Sequence, residues 1–129
     1  MKPEVTLLVW AVGLTFVQML IAVSGAATQV GLPILSGNRE PLPVFSGWVG
    51  RAERAHLNTL QSLVLFASLV LVAVVANKTN QTTLLGAQLF FWARVVYAGV
   101  YLAGIPYLRT GVWAVSVVGL VLIFLQLIK

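Results

Sequence analysis

The chain has 129 residues, of which 60% are hydrophobic and 9% are charged, and it contains no cysteine. Soluble domains average about 45–50% apolar and about 25% charged residues, and small domains leave much of their surface in water. The composition therefore excludes an ordinary water-soluble domain and favours lipid as the solvent. The lack of cysteine excludes disulfides, zinc–thiolate sites and iron–sulfur clusters. The net charge of +5 comes without a basic, aromatic-rich stripe, so we expect no nucleic-acid partner.

Four apolar segments are long enough to cross a membrane, because a span needs roughly 20 apolar residues. The predicted spans are about 5–27, 50–76, 82–104 and 107–128. The first is expected to be retained, since its apolar part is longer than that of a signal peptide. The proline-containing segment 28–49 is predicted as the one long loop. The whole chain, 1–129, is thus expected to be one all-α domain, an antiparallel bundle of four transmembrane helices.

Lysine and arginine predict the orientation, because cytoplasmic loops carry an excess of basic residues. Lys2, Lys78 and Lys129 fall on one side of the bundle. The first and third loops, with the adjoining start of the second span, carry four arginines: Arg39, Arg51, Arg54 and Arg109. We therefore expect the first and third loops to face the cytoplasm.

The start of the second span carries the densest group of ionisable residues in the chain. A helix advances by about 100° per residue, which places four polar side chains within roughly 80° of one another. These are Arg51, Arg54, Asn58 and Gln61. Glu53 and His56 point away from this stripe. Taken alone, the two arginines could be interfacial anchors, and the two amides could be hydrogen-bond contacts between helices.

The third span repeats the arrangement with Arg94, Tyr97 and Tyr101, which fall within roughly 60° on one helical face. An arginine halfway along a span is costly, so it is expected to face the bundle interior and to have a partner. The tyrosines could instead belong to an aromatic belt at the interface. Arg109 and Thr110 begin the fourth span. Because the chain has few carboxylates to neutralise these arginines, we expect an anionic partner from outside it.

For the isolated glutamines and the glycines within the spans, we expect roles in helix packing. Gln18 and Gln88 are expected to make contacts between helices. Five glycines within the spans are expected to permit close helix approach: Gly13, Gly86, Gly99, Gly111 and Gly119. The sequence contains no Gly-rich phosphate loop, no Ser-His-Asp arrangement and no metal-ligand spacing.

These motifs resemble the MAPEG family, the membrane-associated proteins in eicosanoid and glutathione metabolism. The family's second-span pattern is Arg-Ala-x-x-Asn-x-x-Glu, which resembles residues 54–61 here. Its third-span pattern, Arg-x-x-Tyr-x-x-x-Tyr, matches residues 94–101, and a following arginine matches Arg109. The resemblance covers nearly the full length. The compact chain and short third loop are similar to a bacterial branch, which implies a bacterial inner membrane. The excess of arginine on the first and third loops places the expected site on the cytoplasmic side.

The resemblance implies a homotrimer of four-helix subunits in membrane lipid, with sites between neighbouring subunits and glutathione as co-substrate. It implies that Arg109 is catalytic and stabilises the glutathione thiolate, because a nearby positive charge lowers the pKa of a thiol. The thiolate would attack a lipophilic small molecule. The residues that the resemblance assigns to glutathione are Arg54, Asn58, Gln61, Tyr97, Tyr101 and Thr110. The two polar faces add Arg51 and Arg94 to this expected binding set.

The chain departs from the family pattern at Gln61, where glutathione users have a glutamate that receives the ligand's ammonium group. Leu57 replaces a polar residue found in some members, and Arg39 is the nearest substitute for a first-span arginine. Two functions are therefore expected. One is a glutathione transferase or peroxidase, and the other is a non-enzymatic scaffold that binds a lipid or an anion. An anion transporter is disfavoured because the sequence lacks an inverted repeat.

Overall fold

The computed structural model describes residues 1–37 and 45–129. These residues form α1 (Pro3–Val30), α2 (Leu32–Ser36), α3 (Gly47–Val75), α4 (Gln81–Ala103) and α5 (Pro106–Leu127). Helices α1, α3, α4 and α5 are each long and apolar enough to cross a membrane. The prediction of an all-α bundle with four membrane-spanning helices is confirmed, and both ends of each of these four helices lie within three residues of their predicted positions.

The prediction of a continuous loop over 28–49 is wrong at both ends. Helix α1 continues to Val30 and stops at Gly31, whose φ of 85° favours glycine. The short helix α2 follows at once, and α3 already begins at Gly47. Burial of apolar side chains explains the added order, since one small cluster joins these segments: Ala26, Leu35, Phe45 and Val49. Arg39 lies outside the described residues.

Local signals set the limits of α4 and α5. Asn80 caps α4 by accepting a hydrogen bond from the backbone N–H of Thr83, and the Thr83 hydroxyl accepts one from the Asn80 N–H. This reciprocal capping box satisfies backbone donors that a helix start leaves open. At its other end, α4 stops at Gly104, which adopts the left-handed conformation with a φ of 80°. Pro106 then starts α5, where a missing N–H costs nothing.

The bundle core lies where the four long helices meet. The rings of Phe66 in α3 and Phe90 in α4 stack with 4.2 Å between centroids, and both side chains are fully buried. The backbones of α4 and α5 approach each other closely at Gly86 and Gly119. A carbon added at Gly86 would lie 2.6 Å from the Gly119 carbonyl oxygen, so only glycine permits this approach.

The expected role of glycine in close helix approach therefore holds for Gly86 and Gly119 but is wrong for three others. A Cβ added at Gly13, Gly99 or Gly111 would have no described atom within 4 Å. These three glycines border open space, because periodicity along one helix does not reveal where a neighbouring helix lies.

Candidate functional site

Arg94 lies in α4, inside the bundle, and its side chain is fully buried. Its Nη2 donates to Asn58 Oδ1 at 2.5 Å and to Thr59 Oγ1 at 3.1 Å, and its Nη1 donates to Ser116 Oγ at 3.4 Å. The guanidinium also lies over the Tyr97 ring, 4.3 Å from the ring centroid. Arg94 therefore joins α3, α4 and α5 at one level of the bundle.

The positive charge of Arg94 has no anionic partner among these contacts. Asn58, Thr59 and Ser116 are neutral, and the Arg94 Nε is buried without a hydrogen bond. A buried charge is usually paired, since its transfer from water is costly. An excess of positive charge consequently remains at this level of the bundle.

Tyr101 lies between two further arginines, one turn beyond Tyr97 on α4. Arg54 Nε donates to the Tyr101 hydroxyl at 3.1 Å. The Arg109 guanidinium lies over the Tyr101 ring, 4.6 Å from its centroid, and the Tyr97 and Tyr101 rings are 5.5 Å apart. The hydrogen bond from Arg54 and the cation–π contact of Arg109 hold the guanidinium groups of α3 and α5 beside the same aromatic pair.

A pocket of about 180 Å³ opens beside this cluster. Its walls come from α3, α4 and α5, and the residues that line it are Asn58, Tyr97, Arg109, Thr110 and Trp113. The pocket thus presents a guanidinium, an amide and two hydroxyls to one space. These groups donate hydrogen bonds, which suits an anionic or strongly accepting ligand.

Arg51 has a different place, at the end of α4. Its Nε donates to the Leu102 carbonyl oxygen at 3.0 Å, beside the left-handed Gly104. A cation at this position satisfies a free carbonyl and opposes the negative end of the helix dipole. Arg51 is not among the residues that line the pocket, and its expected role in ligand binding stays a prediction.

Gln61 and Thr110 complete the predicted set. Gln61 is exposed on α3, beyond the pocket walls. Thr110 lines the pocket, and its hydroxyl donates to the Pro106 carbonyl oxygen at 3.4 Å. The structure therefore brings together seven of the nine predicted residues as pocket walls or their direct neighbours. These are Arg54, Asn58, Arg94, Tyr97, Tyr101, Arg109 and Thr110.

Sequence reasoning missed two hydroxyl residues, Thr59 and Ser116, which hold the Arg94 guanidinium. Ser116 also donates to the Trp113 carbonyl oxygen at 2.6 Å, which fixes its position on α5. The available signal was the requirement that a mid-span arginine find polar partners on neighbouring helices. Ser116 is the serine that α5 offers, two turns beyond Arg109.

The fold and the site define an integral membrane bundle of four spanning helices, with an arginine–tyrosine cluster near one end. The family model described as "MAPEG family" matches residues 5–129, which is essentially the whole chain. The chain therefore belongs to the MAPEG family. No curated protein and no solved structure matches it.

Proposed function

We propose that this protein is a membrane-embedded glutathione transferase or peroxidase that presents glutathione thiolate to lipophilic electrophiles. The observation that carries the proposal is the pocket in which Arg109, Asn58 and Tyr97 face one space while the Arg94 charge behind it lacks an anion. Membership of the family supports a link to glutathione.

In this proposal glutathione brings the negative charges that the cluster lacks. Its carboxylates pair with guanidinium groups of the cluster, since arginine offers a planar fork that matches a carboxylate. Its sulfur lies beside Arg109, where positive charge favours the thiolate. During conjugation the thiol proton is released, the thiolate forms a carbon–sulfur bond with the electrophile, and the leaving group departs with its electron pair.

The size of the pocket supports an assembly of several chains. A volume of about 180 Å³ is smaller than the roughly 300–1,000 Å³ of typical ligand sites. We propose that a neighbouring subunit of a homotrimer supplies the remaining wall. We further propose that the protein resides in a bacterial inner membrane with this end toward the cytoplasm, as the arginine excess favours.

A second candidate function is a non-enzymatic scaffold whose pocket holds a lipid or another anion. The neutral and exposed Gln61 favours it, because an amide receives an ammonium group less strongly than a carboxylate does. Exposed Leu57, on the same helix, adds apolar rather than polar surface beside the stripe.

The test is the formation of thiolate by purified protein in detergent, followed by ultraviolet absorbance, and the conjugation of 1-chloro-2,4-dinitrobenzene. Arg109→Ala should abolish the thiolate signal and lower kcat/KM about 100-fold, the usual cost of removing one donor that stabilises an anion. Lys78→Ala, which removes a cation at the opposite end of the bundle, is the matched control and should leave both signals unchanged.

Unchanged conjugation by Arg109→Ala would rule out the role given to this arginine. An absence of glutathione binding in calorimetry, together with lipid that co-purifies with the protein, would favour the scaffold.

A further inference from the structure

Glu53 and His56 lie on the face of α3 that points away from the arginine pocket, as the helical phase predicts. Because they are three positions apart, their side chains are neighbours on the helix surface. Both line a cavity of about 190 Å³ whose other walls come from α1, α2 and Phe45. None of the residues around this cavity lines the arginine pocket, so the two spaces are separate.

The Glu53 carboxylate is a negative charge without a partner. Within residues 1–37 and 45–129 it forms no hydrogen bond and no ion pair. The arginines beside it on α3 are directed elsewhere, since Arg51 donates to the Leu102 carbonyl oxygen and Arg54 to the Tyr101 hydroxyl. Glu53 is half-buried, and neither of its carboxylate oxygens is sealed inside the bundle. The charge is therefore open to a ligand.

The wall around Glu53 combines this charge with apolar surface. Polar atoms form part of the surface that faces the space, and the polar side chains that line it are Glu53 and His56. The remaining side chains of the wall are apolar, among them Met19 and Phe45, and the wall contains no lysine or arginine. A charge beside apolar surface is costly unless an opposite charge pairs with it. The cavity thus calls for a cation with an apolar body.

An ammonium group attached directly to an apolar chain meets both demands. It brings one positive charge and three hydrogen-bond donors. The Glu53 carboxylate takes one donor, and His56 can take another through Nε2, because its Nδ1 is buried without a partner. A neutral alcohol would leave the carboxylate charge uncompensated. A phospholipid that carries an ammonium group also carries a phosphate, for which the wall offers no cation.

We propose that this cavity binds a lipophilic primary amine from the membrane, whose ammonium group pairs with Glu53 and whose chain lies against Met19 and Leu57. Entry from the lipid is direct, because Val23 and Leu57 belong to the wall and are also exposed on the outside of the bundle. The site uses no residue of the arginine pocket, so it stands or falls independently of the proposed activity.

Methionine NMR tests the proposal in the full chain, because one of the two methionines lies in the cavity wall. Met19 lines the cavity, whereas Met1 is at the other end of α1 and serves as the internal control. The protein carries ¹³C-methyl methionine and is placed in phosphatidylcholine nanodiscs without glutathione. Titration with decylamine should shift the Met19 signal and leave the Met1 signal in place.

The charge is tested by comparison with decanol, which has the same chain but no charge. Midpoints of the Met19 shift are expressed as the mole fraction of ligand in the bilayer, so unequal partitioning into lipid is removed. The midpoint for decylamine should be at least tenfold lower than that for decanol, since a hydrogen bond to a charged group is worth about one to two orders of magnitude in affinity.

Two variants that each remove one carboxylate locate the effect. Glu53→Gln should raise the decylamine midpoint at least tenfold and change the decanol midpoint less than twofold. Glu4→Gln is the matched control, because it removes a carboxylate at the opposite end of the bundle while its amide oxygen still accepts from Thr83. Its decylamine midpoint should equal that of the wild type.

Equal midpoints for decylamine and decanol in the wild-type protein would overturn the proposal, and this measurement requires no variant to fold. A Met19 signal that decylamine does not move would overturn it too, as expected if a second copy of the chain fills the cavity. If phosphatidylethanolamine in the nanodiscs shifts Met19 and raises the decylamine midpoint, the ammonium group belongs to a lipid headgroup, and the assignment to an alkylamine is wrong.

Discussion

The two ends of the bundle both carry polar side chains, but they use them in opposite ways. At the end where α4 begins, buried Glu4 accepts a hydrogen bond of 2.8 Å from the Thr83 hydroxyl, and Asn80 Nδ2 donates to Gln126 Oε1 at 2.9 Å. Lys78 Nζ donates to the Leu127 carbonyl oxygen at 3.0 Å. Polar groups of one helix are thus matched by those of another.

Among the described residues at the end where α4 stops, guanidinium groups outnumber the carboxylates that could neutralise them. The contacts of Arg94 are neutral, and Arg54 and Arg109 lie against the Tyr101 ring. A pocket opens beside them. The difference shows that polarity at a helix end does not itself indicate a site; charge without a partner beside open space does.

The largest expected effect comes from Arg94→Met, which removes the unneutralised buried charge. Binding of glutathione should weaken about 100-fold, as expected for unit charges roughly 6 Å apart at an effective dielectric constant of about 20. The unfolding temperature should change little, because removal of a costly uncompensated cation offsets the loss of its hydrogen bonds to Asn58, Thr59 and Ser116. Calorimetry and thermal unfolding in detergent measure the two quantities. A large loss of stability in Arg94→Met, with glutathione binding intact, would show that the polar residues at this end of the bundle are structural, as they are at the end where α4 begins.

The next effect is at the opposite end, where Thr83→Val removes the hydroxyl that bonds Glu4 and Asn80. The free energy of unfolding should fall by about 2 kcal/mol, the cost of leaving buried polar groups without a partner. Glutathione affinity should not change. Thr82→Val is the matched control. Equal destabilisation by both variants would show that the hydrogen bond from Thr83 to Glu4 does not contribute to the free energy of unfolding.

The smallest effect is expected from Gln61→Glu, which adds one carboxylate to the arginine end. Glutathione, which carries an ammonium group, should bind about five- to tenfold more tightly, a gain on the order of 1 kcal/mol. Sulfate, a plain anion, should bind more weakly because the introduced charge repels it. Isothermal titration with both ligands distinguishes these outcomes, and equal weakening of both would mean that glutathione is not the natural occupant.

Much of the fold follows from the sequence because span length and helix period are local properties. Runs of apolar residues place the helices, and the helical phase groups Arg94 with Tyr97 and Tyr101. Phase alone does not say which face meets which neighbour. It therefore missed the bond from Arg51 to the end of α4 and the hydroxyl of Ser116 beside Arg94.

The same limit applies to α2 and to Gln18. Helix α2 forms where Leu35 and Phe45 pack on the end of α1, a contact between segments that a loop composition does not reveal. The sequence predicts that Gln18 contacts a neighbouring helix, yet small residues on α3 and α4 leave a cavity that Gln18 helps to line. Whether the arginine cluster binds glutathione stays a prediction.

The glycine pair Gly86 and Gly119 is a point of close approach between the two helices of the α4–α5 hairpin. Backbone touches backbone at the glycines, whereas about 12 Å further along α4, at Arg94, polar side chains span the gap between the helices. We expect the helix separation that the two glycines impose to influence the width of the pocket, which lies between α3, α4 and α5. The dimensions of the site would then depend in part on two residues that carry no side chain and do not line the pocket.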